Sequence, residues 1–137
     1  MGSHPPDGIV SEAEVREFIS LQIVIDSARA AGLEVASPVH AGDGQGLLVY
    51  GREASDERAL SARRVWVRAF DSGLETTALV GPVSAGELLA LVEWGGFGEG
   101  DALFLLTAMD IEGMRSGKVA LADCRATRER WCALVLG

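Results

Sequence analysis

From Arg64 to Phe70 the side chains alternate without a break: Val65, Val67 and Ala69 fall on one side of an extended chain, and Arg64, Trp66, Arg68 and Phe70 on the other. A period of two does not suit a helix. It predicts a strand with two chemically different faces, which needs neighbouring strands for its backbone and a covering layer for its apolar side. The "DSG" that follows is a turn signal, and "LETTALVG" reads as the returning strand of a hairpin. With "LLVYG" upstream, the simplest assembly is an antiparallel meander.

Helices are signalled elsewhere. Ser11 and Glu14 form an S-x-x-E capping box, with Val10 and Val15 placed as a hydrophobic staple. The stretch after it can be read two ways: Ile19, Leu21, Ile23 and Ile25 alternate like a strand, while Phe18, Leu21, Ile25 and Ala28 recur at helical spacing. The capping box, the alanine-rich end and Gly32 as a stop favour one helix of about twenty residues. Ile19, Ile23 and Val24 then leave it apolar around most of its circumference, as expected of a helix held between a sheet and a second subunit. Ser84 and Glu87 repeat the capping pattern before "LLALVEW", predicting a middle helix from about Ala85 to Trp94. "DALFLLTAM" fits either helix or strand, and "GKVALADC" and "RWCALVLG" read as two last strands.

The expected fold class is therefore α+β: an antiparallel sheet of about five strands with an N-terminal helix and a middle helix packed on it. This element order is similar to that of roadblock-type scaffold proteins and small secretion chaperones, a similarity that covers no residue motif. Residues 1–10 read as a flexible lead-in in which Met1–His4 look like a cloning remnant, and 11–137 as a single domain.

Apolar residues make up 48% of the chain against 23% charged, enough to build a core without disulfides or metal. A mean hydropathy of +0.21 in a domain this small points to apolar surface hidden by self-association, hence an expected homodimer. Twenty acidic against twelve basic residues give a net charge of -8. That field repels phosphate backbones and anionic lipid, so neither nucleic acid nor membrane is expected as partner, and a protein with a basic surface is the natural complement. The two cysteines make no disulfide framework, no stretch is long enough to span a membrane, and the N-terminus lacks signal-peptide character, so the expected location is cytoplasmic.

"EWGGFGEGD", residues 93–101, packs four glycines into nine positions. A phosphate cradle needs its glycines after a strand and before a helix, with cationic help; here they follow the expected helix and sit among Glu93, Glu99 and Asp101. A helix stop and connector is the simpler reading. "GMRSGKV" is one residue short of a P-loop and has Val119 where a magnesium-binding hydroxyl belongs. Cys124 and Cys132 lie outside zinc-motif spacing, and no cofactor or metal is expected. His40, close to Asp43, is the single candidate base outside the remnant, and no complete nucleophile, base and orienting set accompanies it.

Two functional expectations follow. In the first the chain is a non-enzymatic intracellular protein-binding module, a dimeric adaptor, chaperone or inhibitor, using Arg64, Trp66, Arg68 and Phe70 as its contact face, because Arg and Trp dominate binding hot spots and can stack on one another. The competing structural account of those residues is a helix covering that face while the arginines reach its rim or pair with acids such as Glu75. The second expectation is a small enzyme or metabolite-binding domain using the glycine-rich loops at 38–46 and 93–101, with His40, Asp43, Gly98, Asp101, Asp110 and Glu112 around a cleft.

Overall fold

In a computed structural model, residues 11–41, 44–51, 62–71, 83–94 and 102–137 are described. Helix α1 spans Glu12–Ala30 and starts where the capping pattern places it, the Ser11 hydroxyl accepting from the Glu14 N–H at 3.2 Å. Gly32, at φ 87°, turns the chain out of the helix in a backbone conformation open to glycine. The helical reading prevails over the strand reading because Ser20, Val24 and Ala28 repeat every four residues and are all buried on one side.

Five strands follow: β1 Leu33–Ala41, β2 Gly44–Gly51, β3 Ala62–Asp71, β4 Leu88–Trp94 and β5 Ala102–Leu106, joined in one sheet in sequence order. The pairs β1–β2, β2–β3 and β4–β5 are antiparallel, whereas β3–β4 is parallel. Helix α2 (Ala108–Arg115), a short 3-10 turn (Leu121–Cys124) and helix α3 (Arg128–Leu136) complete the chain.

The sheet is covered on both sides. On one face α1 and α3 bury Leu47, Val49, Val65, Leu88, Ala90, Val92 and Leu105; on the other, Ile111 of α2 and Cys124 of the 3-10 turn close over Phe70, Leu89, Leu91, Phe104 and Leu106. Strand β4 feeds both cores, so every residue from Leu88 to Val92 is buried. At about 1.5–3 kcal/mol for each large aliphatic side chain withdrawn from water, this strand is the apolar centre of the fold. Two indole hydrogen bonds fix α1 over the sheet, Trp94 Nε1 donating to Ser20 Oγ at 2.9 Å and Trp131 Nε1 to Ser27 Oγ at 2.8 Å. The two serines lie two turns apart on one helix face.

The α+β class, the five strands and the packed N-terminal helix agree with the sequence. Several local assignments do not. No helix forms over 88–94: the Ser84 and Glu87 pattern instead closes a turn, with Glu87 N–H donating to Ser84 O at 3.0 Å and Ser84 N–H to the Glu87 carboxylate at 3.2 Å. Gly86, at φ 87°, takes the turn position that calls for glycine. "LLALV" lacks alternation because both of its faces are covered, as is usual for a strand beside a parallel neighbour.

The meander breaks at the same place. Strand β3 has β2 on one side over 62–67 and β4 on the other, in parallel, over 65–71. A parallel pair requires a crossover connection; the expected returning strand "LETTALVG", residues 74–81, lies outside the described residues, as do 52–61. The two expected last strands are the 3-10 turn and α3. Thr127 caps α3 by accepting from the Arg130 N–H at 3.1 Å, and Trp131, Leu134 and Val135 supply its core-facing stripe.

Candidate protein-binding face on β3

The alternation read from the sequence holds along β3. Pairing register sets Arg64 beside Leu48 of β2, Trp66 between Gly46 and Leu89, Arg68 beside Leu91, and Phe70 beside Glu93.

The Arg64 guanidinium carbon lies 5.8 Å from the centroid of the Trp66 ring, within cation–π range. Arg64 also faces Glu87 at 3.6 Å, with 48% of its side chain in solvent. An exposed pair of that length contributes about 0.2–1 kcal/mol at most. Arg68 is exposed as well, and Trp66 is half-buried, resting against the core under α2. Phe70 is only 4% exposed and belongs to that core. The strip expected as a four-residue contact face thus presents Arg64, Trp66 and Arg68 outward and anchors itself through Phe70.

Of the residues of the alternative cleft, His40, Asp110 and Glu112 lie among those described. His40 stands in β1 at one edge of the sheet, whereas Asp110 and Glu112 follow β5 at the other. Four inter-strand spacings separate those edges, roughly 19 Å. The strand directions also put the β1–β2 connection at the end of the sheet opposite to the start of α2. Asp43, Gly98 and Asp101 lie outside the described residues.

Asp110 has a structural role. Its Oδ2 accepts from the Thr107 N–H at 2.9 Å while the Thr107 hydroxyl accepts from the Asp110 N–H at 3.1 Å, a complete capping box at the start of α2. The same Oδ2 takes Arg130 Nη2 at 2.7 Å, and Arg130 Nε and Nη2 donate to Leu105 O at 2.9 and 2.7 Å. One guanidinium thereby ties the end of β5, the start of α2 and α3. Cys124 packs nearby, and its thiol is pushed above its ordinary value of 9.0, first by burial and then by the charge of Asp110, with Arg130 opposing. Both cysteines are free thiols on different helical segments, so they do not face each other across strands. Glu112 is exposed on α2.

Two surface features went unread in the sequence. Arg16 lies over Trp94 at 5.3 Å and pairs with Asp71 at 2.6 Å, joining α1 to the ends of β3 and β4; the partners are far apart in the chain and carry no local signal. On α1, Val15, Phe18 and Ile19 are exposed, Phe18 to 69%. The surplus of apolar residues around this helix was legible, but not which of them would stay outside.

Among the described residues no three His, Cys, Asp or Glu side chains gather as a metal would need, and no helix is long and apolar enough to cross a membrane. Comparison with protein-family models, with curated proteins and with solved structures returns no match.

Proposed function

We propose that this chain is a non-enzymatic protein-binding module, an adaptor, chaperone or inhibitor that assembles as a homodimer and meets a protein of more basic surface. The observation that carries the reading is the Arg64 guanidinium stacked on Trp66 and held outward on a strand whose next inward-turned residue, Phe70, is locked into the core. Arg and Trp side chains fixed in place lose little entropy on contact, which is what makes such residues energetic centres of interfaces. Self-association is supported by Val15, Phe18 and Ile19 on the outer side of α1, apolar groups flanked by Glu12, Glu14 and Glu17 in the pattern of an apolar centre with a polar rim. The net charge of -8 supports attraction to a basic partner at long range.

Sedimentation velocity and binding to a purified partner test the reading together. Wild-type protein sediments as a dimer and Phe18→Glu as a monomer with unchanged secondary structure. A Trp66→Ala, Arg68→Ala double variant stays folded, with a thermal midpoint lowered because Trp66 rests against the core, and loses the partner. A monomer at every concentration, together with partner affinity indifferent to Trp66, overturns it.

A further inference from the structure

We infer that two copies of this chain associate through their α1 helices, laid antiparallel with a twofold axis at Gln22, so that Glu14 of each copy meets Arg29 of the other. The inference rests on the homodimer reading above and supplies the orientation and register of the contact.

Helix α1 buries Ser20, Val24 and Ala28 toward the sheet. Its outer side carries Val15, Phe18, Gln22, Ile25 and Arg29, spaced alternately three and four apart, so they run as one seam along the helix for ~21 Å. That spacing is the one by which a helix packs lengthwise on another. Val15, Phe18, Gln22 and Arg29 are exposed along the seam, Ile25 is half-buried, and exposed Ile19 widens its apolar end.

The seam is symmetric about Gln22, with Val15 and Arg29 equally far from it on either side, and likewise Phe18 and Asp26. A twofold axis there sets Phe18 against Ile25 and Asp26 of the other copy, and Val15 against its Arg29. The aliphatic stem of Arg29 then covers Val15 while the guanidinium reaches Glu14.

Charge chooses the direction. Glu12 and Glu14 stand in the first turn of α1 and Arg29 in the last. Among the described residues, none of these three side chains has an ion-pair partner within the chain. Parallel helices would set the glutamates against themselves and place like ends of the two helix dipoles together. Antiparallel helices put an acid opposite a base at both ends of the contact and oppose the dipoles. A partner of basic surface could meet Glu12, Glu14 and Glu17, but it would bring like charge against Arg29, whereas a second copy matches both ends of the seam.

Disulfide trapping under mild oxidation reads the geometry, with the wild-type chain, which keeps its free Cys124 and Cys132, as control. Gln22→Cys is expected to cross-link to itself, and Val15→Cys to cross-link only when mixed with Arg29→Cys. Sedimentation velocity reads the strength. Glu14→Arg and Arg29→Glu are each expected to weaken the dimer about tenfold, because two contacts turn from attraction to repulsion, and the chain carrying both to recover to within about threefold of wild type. Damaged folding cannot produce that recovery. Self-cross-linking of Val15→Cys shows parallel helices and overturns the inference. So does a monomeric wild type whose Phe18→Glu variant loses a basic partner, which gives the face to that partner. If wild type sediments as a dimer and no α1 cysteine cross-links, the homodimer reading stands and the α1 contact falls; if wild type is a monomer at every concentration, both fall.

Discussion

In an Asp110→Ala variant, the Thr107 N–H and Arg130 Nη2 lose the same acceptor, the Oδ2 atom that now lies 2.9 and 2.7 Å from them. A hydrogen bond to a charged group contributes about 1.5–3 kcal/mol when water is excluded. Here the Asp110 and Arg130 side chains are each 22% exposed, so water replaces part of what is lost. Arg130 also keeps its two bonds to Leu105 O, which limits how far its guanidinium strays. Together with the weakened helix cap, the expected loss is about 2 kcal/mol. For a domain of this size that lowers the thermal midpoint by roughly 6–10 °C.

Urea denaturation of Asp110→Ala, Arg130→Ala and the double variant separates the contributions. The two side chains touch, so the double variant should lose about 1–2 kcal/mol less than the sum of the singles. Asp110→Asn keeps a neutral acceptor and should fall between wild type and Asp110→Ala. A stability for Asp110→Ala within about 0.5 kcal/mol of wild type, the range of an ordinary surface substitution, would refute the structural role. So would additivity of the pair. The same proteins test the rival use of this carboxylate: if Asp110 were a ligand for a divalent ion, wild type would gain thermal stability on adding the ion and Asp110→Ala would not.

Ser20 is 1% exposed and accepts the Trp94 indole N–H, so Ser20→Ala should cost about 1–2 kcal/mol in urea denaturation, and Trp94→Phe in the Ser20→Ala background should add little further loss. Because burial, and after it the charge of Asp110, raises the Cys124 thiol above 9.0, the folded chain keeps that proton to higher pH than the unfolded chain does. The stability it contributes is complete below that value and is lost as pH rises through the folded value. The urea midpoint of wild type should therefore fall more steeply above pH 9 than that of Cys124→Ala, and parallel curves would contradict the burial argument.

The elements that were legible are those with one exposed face. Strand β3 alternates because one side meets a core and the other carries Arg64 and Arg68, and α1 announces itself through Ser11 and Gly32. Strand β4 and helix α3 were misread for a common reason: apolar side chains run consecutively through "LLALV" and "CALVL", so periodicity vanishes and flanking signals decide. Those signals were ambiguous. S-x-x-E before β4 caps no helix because Gly86 diverts the chain, whereas Thr107 with Asp110 does cap α2, a T-x-x-D that the uncharged run around it obscured. The parallel pairing of β3 and β4 was not legible at all, since the crossover that permits it carries turn residues that a hairpin would share.

On the proposed protein-binding reading, local and global charge divide the work of recognition on this surface. At physiological ionic strength a field is screened over about 8 Å, less than the ~13 Å between Arg64 and Arg68. Under that proposal the surplus of acidic groups would influence how often a basic protein arrives, while contact would be decided by side chains within a few ångströms of the strip. Arg16, Arg63 and Arg130 hold structural contacts elsewhere: Arg16 with Asp71, Arg63 with the carbonyls of Leu134 and Gly86, and Arg130 with Asp110 and Leu105. Added salt should then slow association with a basic partner, whereas loss of Trp66 should speed dissociation. A partner whose dissociation responds to salt but not to Trp66 would be reading the acidic body and not the strip.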